Sequence, residues 1–296
     1  MNIDVIMNCL PYNLVQAISK VNIEKLEEIR IRCERPVILK TEKNEIIIDY
    51  KVDKTEIMSI IQLFCNNSIY AYQNQICDGF ITIMGGHRIG ISGSCVIKDG
   101  KVININNIYS LNIRIAREID NASINLLKYI VDIQHNSIYN TLIVSPPGAG
   151  KTTILRDLVN KISSGIPNIG FKGINVTVID ERSEISAMYR GIPQNNIGIR
   201  TDVLDNIPKT IGIKMAIRTL APKVIVADEI GNANDAEIIN YAICSGVKGI
   251  FTAHGDSMED LYNNPELQKL IKLQIFQNYI FLDSENKGNI KNIIKK

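Results

Sequence analysis

The chain contains no tryptophan, and aromatic residues make up only 6% of it. Its charges nearly cancel: 33 Lys and Arg against 31 Asp and Glu give a net +2. A groove for single-stranded nucleic acid combines a basic track with aromatic stacking platforms. Both are scarce here, which counts against nucleic acid as a partner and leaves room only for a local basic strip. Six cysteines, at positions 9, 33, 65, 77, 95 and 244, form no Cys-x-x-Cys pair. That excludes a zinc ribbon or a thioredoxin-type motif, and they read as small apolar core residues of a reducing compartment. The three histidines, His87, His135 and His254, are not at metal-ligand spacing. No apolar run approaches the roughly 18–20 residues of a membrane span. The start, Met1-Asn2-Ile3-Asp4-Val5, has neither a basic leader region nor a long apolar stretch. The expectation is a cytoplasmic chain with no membrane span of its own, reaching any membrane through partners. Neither an internal repeat nor a low-complexity segment is present.

What remains is the length and composition of an ordinary two-domain protein: 296 residues, 45% hydrophobic and 22% charged. Leu10, Leu14, Val15, Ile18 and Val21 recur at helical spacing, so residues 3–26 read as helical. Glu28–Arg32 alternates as a half-buried strand does, and Pro36–Leu39 and Glu45–Ile48 follow as short strands. A second helical pattern covers 53–73. Strands follow at Gly79–Ile83, His87–Ile91, Cys95–Ile97 and Ser110–Arg117, with Lys98-Asp99-Gly100-Lys101 as a hairpin signal. Residues 1–118 therefore read as an α+β domain with a curved antiparallel sheet, and 119–140 as a linker helix. From 141 to 296 the strands change character. Thr141–Ser145, Val176–Ile179, Lys223–Ala227 and Gly249–Thr252 are continuous apolar runs between helical stretches. Burial on both faces marks a parallel sheet in an α/β domain. The tail reads as a last strand, Tyr279–Leu282, a turn at Asn286–Gly288 and a basic end.

The most informative stretch joins the first of these strands to a helix: Leu142-Ile143-Val144-Ser145-Pro146-Pro147-Gly148-Ala149-Gly150-Lys151-Thr152-Thr153. Glycines let backbone N–H groups converge on a polyphosphate with no Cβ in the way. The helix that follows turns its positive end toward the same anion. Pro147, Gly148, Ala149, Gly150, Lys151, Thr152 and Thr153 are thus the candidate nucleotide-binding segment. Lys151 has the reach for the β- and γ-phosphates, and the Thr152 hydroxyl can ligate Mg²⁺. The pattern G-x-x-x-x-G-K-[ST] is met except at its first glycine, which is Ser145.

Three further strand ends add chemistry. Val224-Ile225-Val226-Ala227-Asp228-Glu229 places two acids after four apolar residues. Asp228 is positioned to reach Mg²⁺ and Glu229 to polarise a water against the γ-phosphate, which favours hydrolysis. Val178-Ile179-Asp180-Glu181-Arg182-Ser183-Glu184 repeats the arrangement, putting Asp180 and Glu181 at the sheet edge where ligands bind. Phe251-Thr252-Ala253-His254 ends a fourth strand, and a neutral His254 can donate one hydrogen bond to a γ-phosphate. Arg200 and Arg218 lie between the acidic strands, and Arg88, Arg114 and Arg117 in the first domain. One of these, inserted into a neighbour's site, would stabilise transition-state charge, and the sequence does not choose among them. Every motif also has an ordinary reading: a ligand-free turn, solvated acids at a strand end, a core histidine, surface ion pairs.

Taken in order, the glycine turn, the Asp180-Glu181 box, the Asp228-Glu229 strand and the Thr252-x-His254 box resemble the secretion and pilus-retraction ATPases. Glu28-Ile29-Arg30-Ile31-Arg32-x-x-Arg35-Pro36-Val37 looks like the first-domain strand those ATPases carry. Gly79–Thr82 with Gly85–Gly90, Asn112–Glu118 and Val178–Ile185 are similar to the stage III sporulation AA family, over about residues 10–290. The resemblance implies a RecA-like P-loop ATPase domain behind a smaller PAS-like domain. It implies ATP and Mg²⁺ as ligands and a ring homo-oligomer, a hexamer by analogy. It also implies membrane-embedded sporulation channel proteins as partners and a place on the mother-cell cytoplasmic side. Two rival functions are a ring-type nucleic-acid translocase and an ATP-dependent assembly scaffold with little turnover. The chain departs from the secretion ATPases in reading Asp-Glu where they usually read Glu-Asp, and in lacking the four-cysteine zinc site many of them carry.

Overall fold

Two units of packing make up the chain, and the computed structural model describes residues 3–22, 26–117 and 119–296 of it. The first unit is Met1–Glu118 together with Ala187–Gln194, and the second is Ile119–Ser186 with Asn195–Lys296.

In the first unit the expected helix over 3–26 is two short helices, α1 (Asp4–Met7) and α2 (Tyr12–Ile18), and positions 23–25 lie outside the described residues. Pro11 stands immediately before α2, where its missing N–H costs nothing but would have interrupted a longer helix. A six-stranded sheet follows, built from β1 (Leu26–Arg32), β2 (Pro36–Thr41), β3 (Glu45–Lys51), β4 (Phe80–Thr82), β5 (Arg88–Lys98) and β6 (Lys101–Arg114). Its order is β3-β2-β1-β6-β5-β4, and every pairing is antiparallel. Asp99 and Gly100, both at positive φ, make the β5–β6 turn. Between β3 and β4 run α3 (Lys54–Phe64), opened by an Asp53–Glu56 capping box, and α4 (Gln73–Cys77). The expected 53–73 helix stops after Phe64 because Asn66 and Asn67 take positive φ. Leu14, Ile18, Ile57, Ile61 and Phe64 from the helices pack with Ile29, Ile31, Val37, Leu39 and Ile113 from the strands.

The second unit begins where a linker helix was expected. Only α5 (Leu127–Ile130) is helical, and β7 (Val131–Asp132) and β8 (Ser137–Ile138) then form a small hairpin. Asp132 accepts a hydrogen bond from His135 N and pairs with its ring, and Asn136 takes φ 45, so the turn competes with helix. β9 (Thr141–Ser145) leads through the glycine turn to α6 (Lys151–Ser164), and a two-residue hairpin, β10 (Gly165–Ile166) and β11 (Phe171–Lys172), precedes β12 (Val176–Asp180). The chain then crosses to the first unit for one hairpin, β13 (Met188–Tyr189) and β14 (Ile192–Pro193). There Gly85 N–H donates to Gln194 Oε1 at 2.8 Å and Asn66 Nδ2 to the Tyr189 hydroxyl at 2.9 Å. Back in the second unit come β15 (Thr201–Asp205), α7 (Lys209–Thr219), β16 (Val224–Ala227), α8 (Asp235–Cys244) and β17 (Lys248–His254). The last elements are α9 (Met258–Asn263), α10 (Pro265–Lys272), β18 (Asn278–Leu282) and β19 (Ile290–Lys295).

The seven-stranded sheet has the order β15-β12-β16-β17-β9-β18-β19, parallel except for the β18–β19 hairpin. Strand alternation splits its side chains between two cores. Leu142, Val144, Ile225, Ala227, Phe251 and Tyr279 pack with α7, α8, α9 and α10. Ile143, Val176, Val178, Val226, Ile250 and Ile280 pack with Ile154, Leu155, Leu158 and Ile162 of α6. β9, β12, β16 and β18 are buried along their whole length, as their unbroken apolar runs required. Register aligns the carboxyl ends: Ser145 pairs with His254, Ile179 with Ala227, and Asp180 with Asp205. No described helix is long and apolar enough to cross a membrane. Of the cysteines, Cys65 is buried in the core and Cys9 and Cys33 pack against it, whereas Cys95 and Cys244 are exposed, so the core reading holds for three of the six.

Candidate active site

At the end of β9 the chain turns through Pro146 and Pro147, which have no N–H, into Gly148 at φ 79 and Gly150 at φ 95. Such φ values are cheap only for glycine. Gly150 caps α6, and Lys151 is its first residue. The N–H groups of Gly148, Ala149 and Gly150 find no acceptor among the described residues, and the space in front of Gly148 is open. Free donors at a helix start, on glycines, are the cradle a polyphosphate needs. Gly288, in the turn between β18 and β19, donates its N–H to Ala149 O at 3.2 Å and braces the loop.

Lys151 is only 6% exposed. Its ammonium donates to Ser145 O at 2.7 Å, Pro146 O at 3.1 Å and Ser145 Oγ at 3.2 Å, and it lies 3.3 Å from His254 Nδ1. Burial pushes its pKa down, and the charges of Asp228 and Glu229 pull it back up. Ser145, the residue that departs from the glycine pattern, is thus a partner of the lysine.

Asp228 follows β16 and takes Thr152 Oγ1 at 2.7 Å on one oxygen and the Thr252 hydroxyl on the other. Thr252 also accepts from Glu229 N at 2.8 Å, so β16 and β17 are cross-linked at the site. Glu229 has φ 51, a costly conformation for a residue with a side chain. Its carboxylate lies between two cations or donors: Arg182 Nη1 at 2.7 Å from Oε2 and His254 Nε2 at 3.0 Å from Oε1. Lys151, His254, Glu229 and Arg182 therefore form one chain of contacts. For a divalent cation the candidates are the Thr152 hydroxyl and the Asp228 carboxylate. They are hard oxygen donors already in contact, as Mg²⁺ prefers. Among the described residues no group of three or more His, Cys, Asp or Glu could hold a metal unaided. Mg²⁺ in nucleotide sites takes one or two protein oxygens with phosphates and waters, so none is required.

The second acidic pair does something different from what its position predicts. Asp180 is buried, and its oxygens accept from Glu184 N (2.9 Å), Ile185 N (3.1 Å), Ser186 N (2.8 Å) and Ser186 Oγ (2.6 Å). That carboxylate, its oxygens taken up by these donors, holds the loop after β12 in shape. Glu181 is ion-paired with the buried Lys209 and accepts the Lys209 N–H at 3.2 Å, which fixes the start of α7. Arg200 and Arg218 are not brought to the site. Arg200 precedes β15, at the amino edge, where Nη1 donates to Ser163 O at 3.0 Å. Arg218 is in the last turn of α7, which begins at the carboxyl edge and ends before β16. Arg182, Lys209 and Thr252 are the site residues that sequence reasoning passed over. Arg182 and Thr252 sat inside the quoted boxes, masked by the acids and histidine beside them.

A mostly parallel sheet, a glycine turn feeding a helix start, and acids and a histidine on the flanking strand ends make up an α/β unit that resembles the fold of the secretion ATPases. Solved structures agree. The Yersinia pseudotuberculosis ATPase DotB superposes with a TM-score of 0.59 at 14% identity, covering 97% of this chain and 80% of that one. The pilus retraction motor PilT, solved with bound ADP, gives 0.56 at 15% identity, covering 89% and 76%. At such identities the likeness concerns the fold alone. The chain belongs to the family described as "Sporulation stage III, protein AA", whose model matches residues 4–296. It is 37% identical over 295 residues to Stage III sporulation protein AA of Bacillus subtilis (strain 168), covering 98% of this chain and 94% of that protein. A shorter match, 30% over 168 residues, is to uncharacterized protein ycf45 of Porphyra purpurea, covering 56% of this chain and 27% of that one.

Proposed function

We propose that the chain is a Mg²⁺-dependent ATP hydrolase that turns nucleotide binding and hydrolysis into domain motion within a ring oligomer. The observation that carries this reading is the contact of Thr152 with Asp228, one residue from Glu229, beside an open cradle of unpaired N–H groups. The cradle from Pro147 to Thr153 takes the polyphosphate. Lys151 leaves the carbonyls of Ser145 and Pro146 for the β- and γ-phosphates. Thr152 and Asp228 would hold Mg²⁺, which when bound neutralises charge on the β- and γ-oxygens. Glu229 orients the attacking water, and His254, in contact with both Lys151 and Glu229, registers whether a γ-phosphate is present. Asp180 and Glu181 act as supports, one for the loop and one for Lys209.

The family membership and the fold likeness support a sporulation role of the secretion-motor kind. The ring, a hexamer by that analogy, would serve membrane-embedded channel proteins from the mother-cell cytoplasm. The first unit would be its PAS-like module. Arg200 and Arg218, at the opposite sheet edge, would then reach a phosphate only in a neighbouring subunit. The test is phosphate release by the full chain with Mg²⁺ and ATP. Lys151→Ala and Glu229→Gln are each expected to lower turnover by about 100-fold or more. Parent-level turnover in either variant would sink the site assignment.

A further inference from the structure

The cleft at the carboxyl edge is lined by Asp180, Glu181, Glu184, Asp228 and Glu229, with Arg182 and Lys209 as its cations. A triphosphate brings more negative charge into that setting. Lys209 is buried and committed to Glu181. Lys151 meets the phosphates at the cradle, on the α6 side. The Arg182 side chain is 64% exposed and touches the site through Glu229 Oε2 at 2.7 Å. A guanidinium offers five donors in a planar fork, so it can hold a carboxylate and turn to a phosphate without losing its charge-assisted bonds. Glu229 is two contacts from Lys151 along the chain Arg182–Glu229–His254–Lys151, so the γ-phosphate that Lys151 reaches lies beside the carboxylate that Arg182 now holds.

We propose that Arg182 is a γ-phosphate-binding residue acting within its own subunit, which neutralises Glu229 while the site is empty and releases it when ATP arrives. The phosphate competes with Glu229 for the guanidinium, and Glu229, freed on that side, turns to the water. The residue thereby ties hydrolysis to the presence of the third phosphate. This rests on the ATPase reading of the site.

The experiment measures binding of fluorescent ATP and ADP derivatives with Mg²⁺ to the full chain, its Arg182→Ala variant and its Arg182→Lys variant, alongside steady-state phosphate release. Arg182→Ala is expected to weaken ATP by about tenfold, one charge-assisted contact, and ADP by less than about twofold. Arg182→Lys, which keeps the charge and loses the fork, is expected to recover about a third of that ATP loss on a logarithmic scale. A residue with a merely structural role would weaken both nucleotides together. Equal losses, or no loss for either, overturn the assignment. Should the alanine variant fail to fold, the lysine variant carries the same test, and an unchanged ATP-to-ADP ratio there overturns it. If the unaltered chain binds neither nucleotide, the ATPase reading itself falls and this assignment with it. If it binds both and only the ratio fails to move, the assignment alone falls.

Discussion

Asp205 closes β15 in register with Asp180, and burial lifts its pKa from an ordinary 3.8 to about 6, with the Asp180 charge adding to the rise and a Ser183 hydrogen bond opposing it. The folded chain therefore binds more protons than the unfolded one between those two values, so stability falls as pH rises through that window. Asp205→Asn removes the loss. The variant should melt above the parent at pH 7.5, with the advantage vanishing toward pH 4. The displacement caps the effect at roughly 3 kcal/mol, and partial exposure brings the expected gain to about 1 kcal/mol. Thermal unfolding at a series of pH values checks it, and a gain that is the same at every pH would rule out the titration as its cause. At this scale the sequence was informative about identity and poor about partners. Lys151, Thr152, Asp228 and Glu229 were legible because each follows a turn or apolar run that fixes its place locally. Asp180 was misread because its four donors come from residues 184–186, a loop whose path no periodicity reveals.

Among the elements, α7 approaches the sheet through a glycine. A Cβ at Gly212 would stand 2.8 Å from Ile179 Cγ2 and 3.0 Å from Ile207 Cγ2. Ile179 is buried in β12 and branched at Cβ, so it cannot swing aside. Gly212→Ala gains roughly 1 kcal/mol of helix propensity but overpacks the contact by about 1–3 kcal/mol. We expect a net loss of about 1 kcal/mol, read as a lower urea midpoint with an unchanged slope; a higher midpoint would mean that α7 can shift outward. Element type came through where apolar runs were long. β9, β12, β16 and β18 lie where continuous burial placed them. Helix ends did not come through, because Pro11, Asn66 and Asn67 act by local backbone geometry inside an otherwise helical pattern. β15 was missed because only part of each of its side chains is covered, which leaves a weak pattern. The two-residue strands β7, β8, β13 and β14 are too short to show any period.

For the whole molecule, the crossing at Ala187–Gln194 sets the organisation. Arg182 and Ala187 are five positions apart, so the loop that carries the site arginine continues directly into a hairpin of the first unit. Asn195 pins the two crossing strands on the second-unit side, donating N–H to Ser186 O at 3.2 Å and Nδ2 to Ile185 O at 2.8 Å. The proposed ring makes a prediction at this scale. Light scattering of the 33.1 kDa chain should give a mass about six times larger with Mg²⁺ and a slowly hydrolysed ATP analogue. A monomer in every nucleotide state would remove the self-assembled ring from the reading.

The sequence by itself determined the glycine turn before α6, the parallel character of the second sheet and the acids at its strand ends. Those features depend on neighbours within a few residues: glycine's freedom at positive φ, and unbroken apolar runs that only a sheet covered on both faces can bury. The tertiary structure decided which of those groups meet. Arg182 and Glu229 are 47 positions apart, and His254 lies 103 from Lys151. They touch because parallel pairing lays β12, β16, β17 and β9 side by side with their carboxyl ends level.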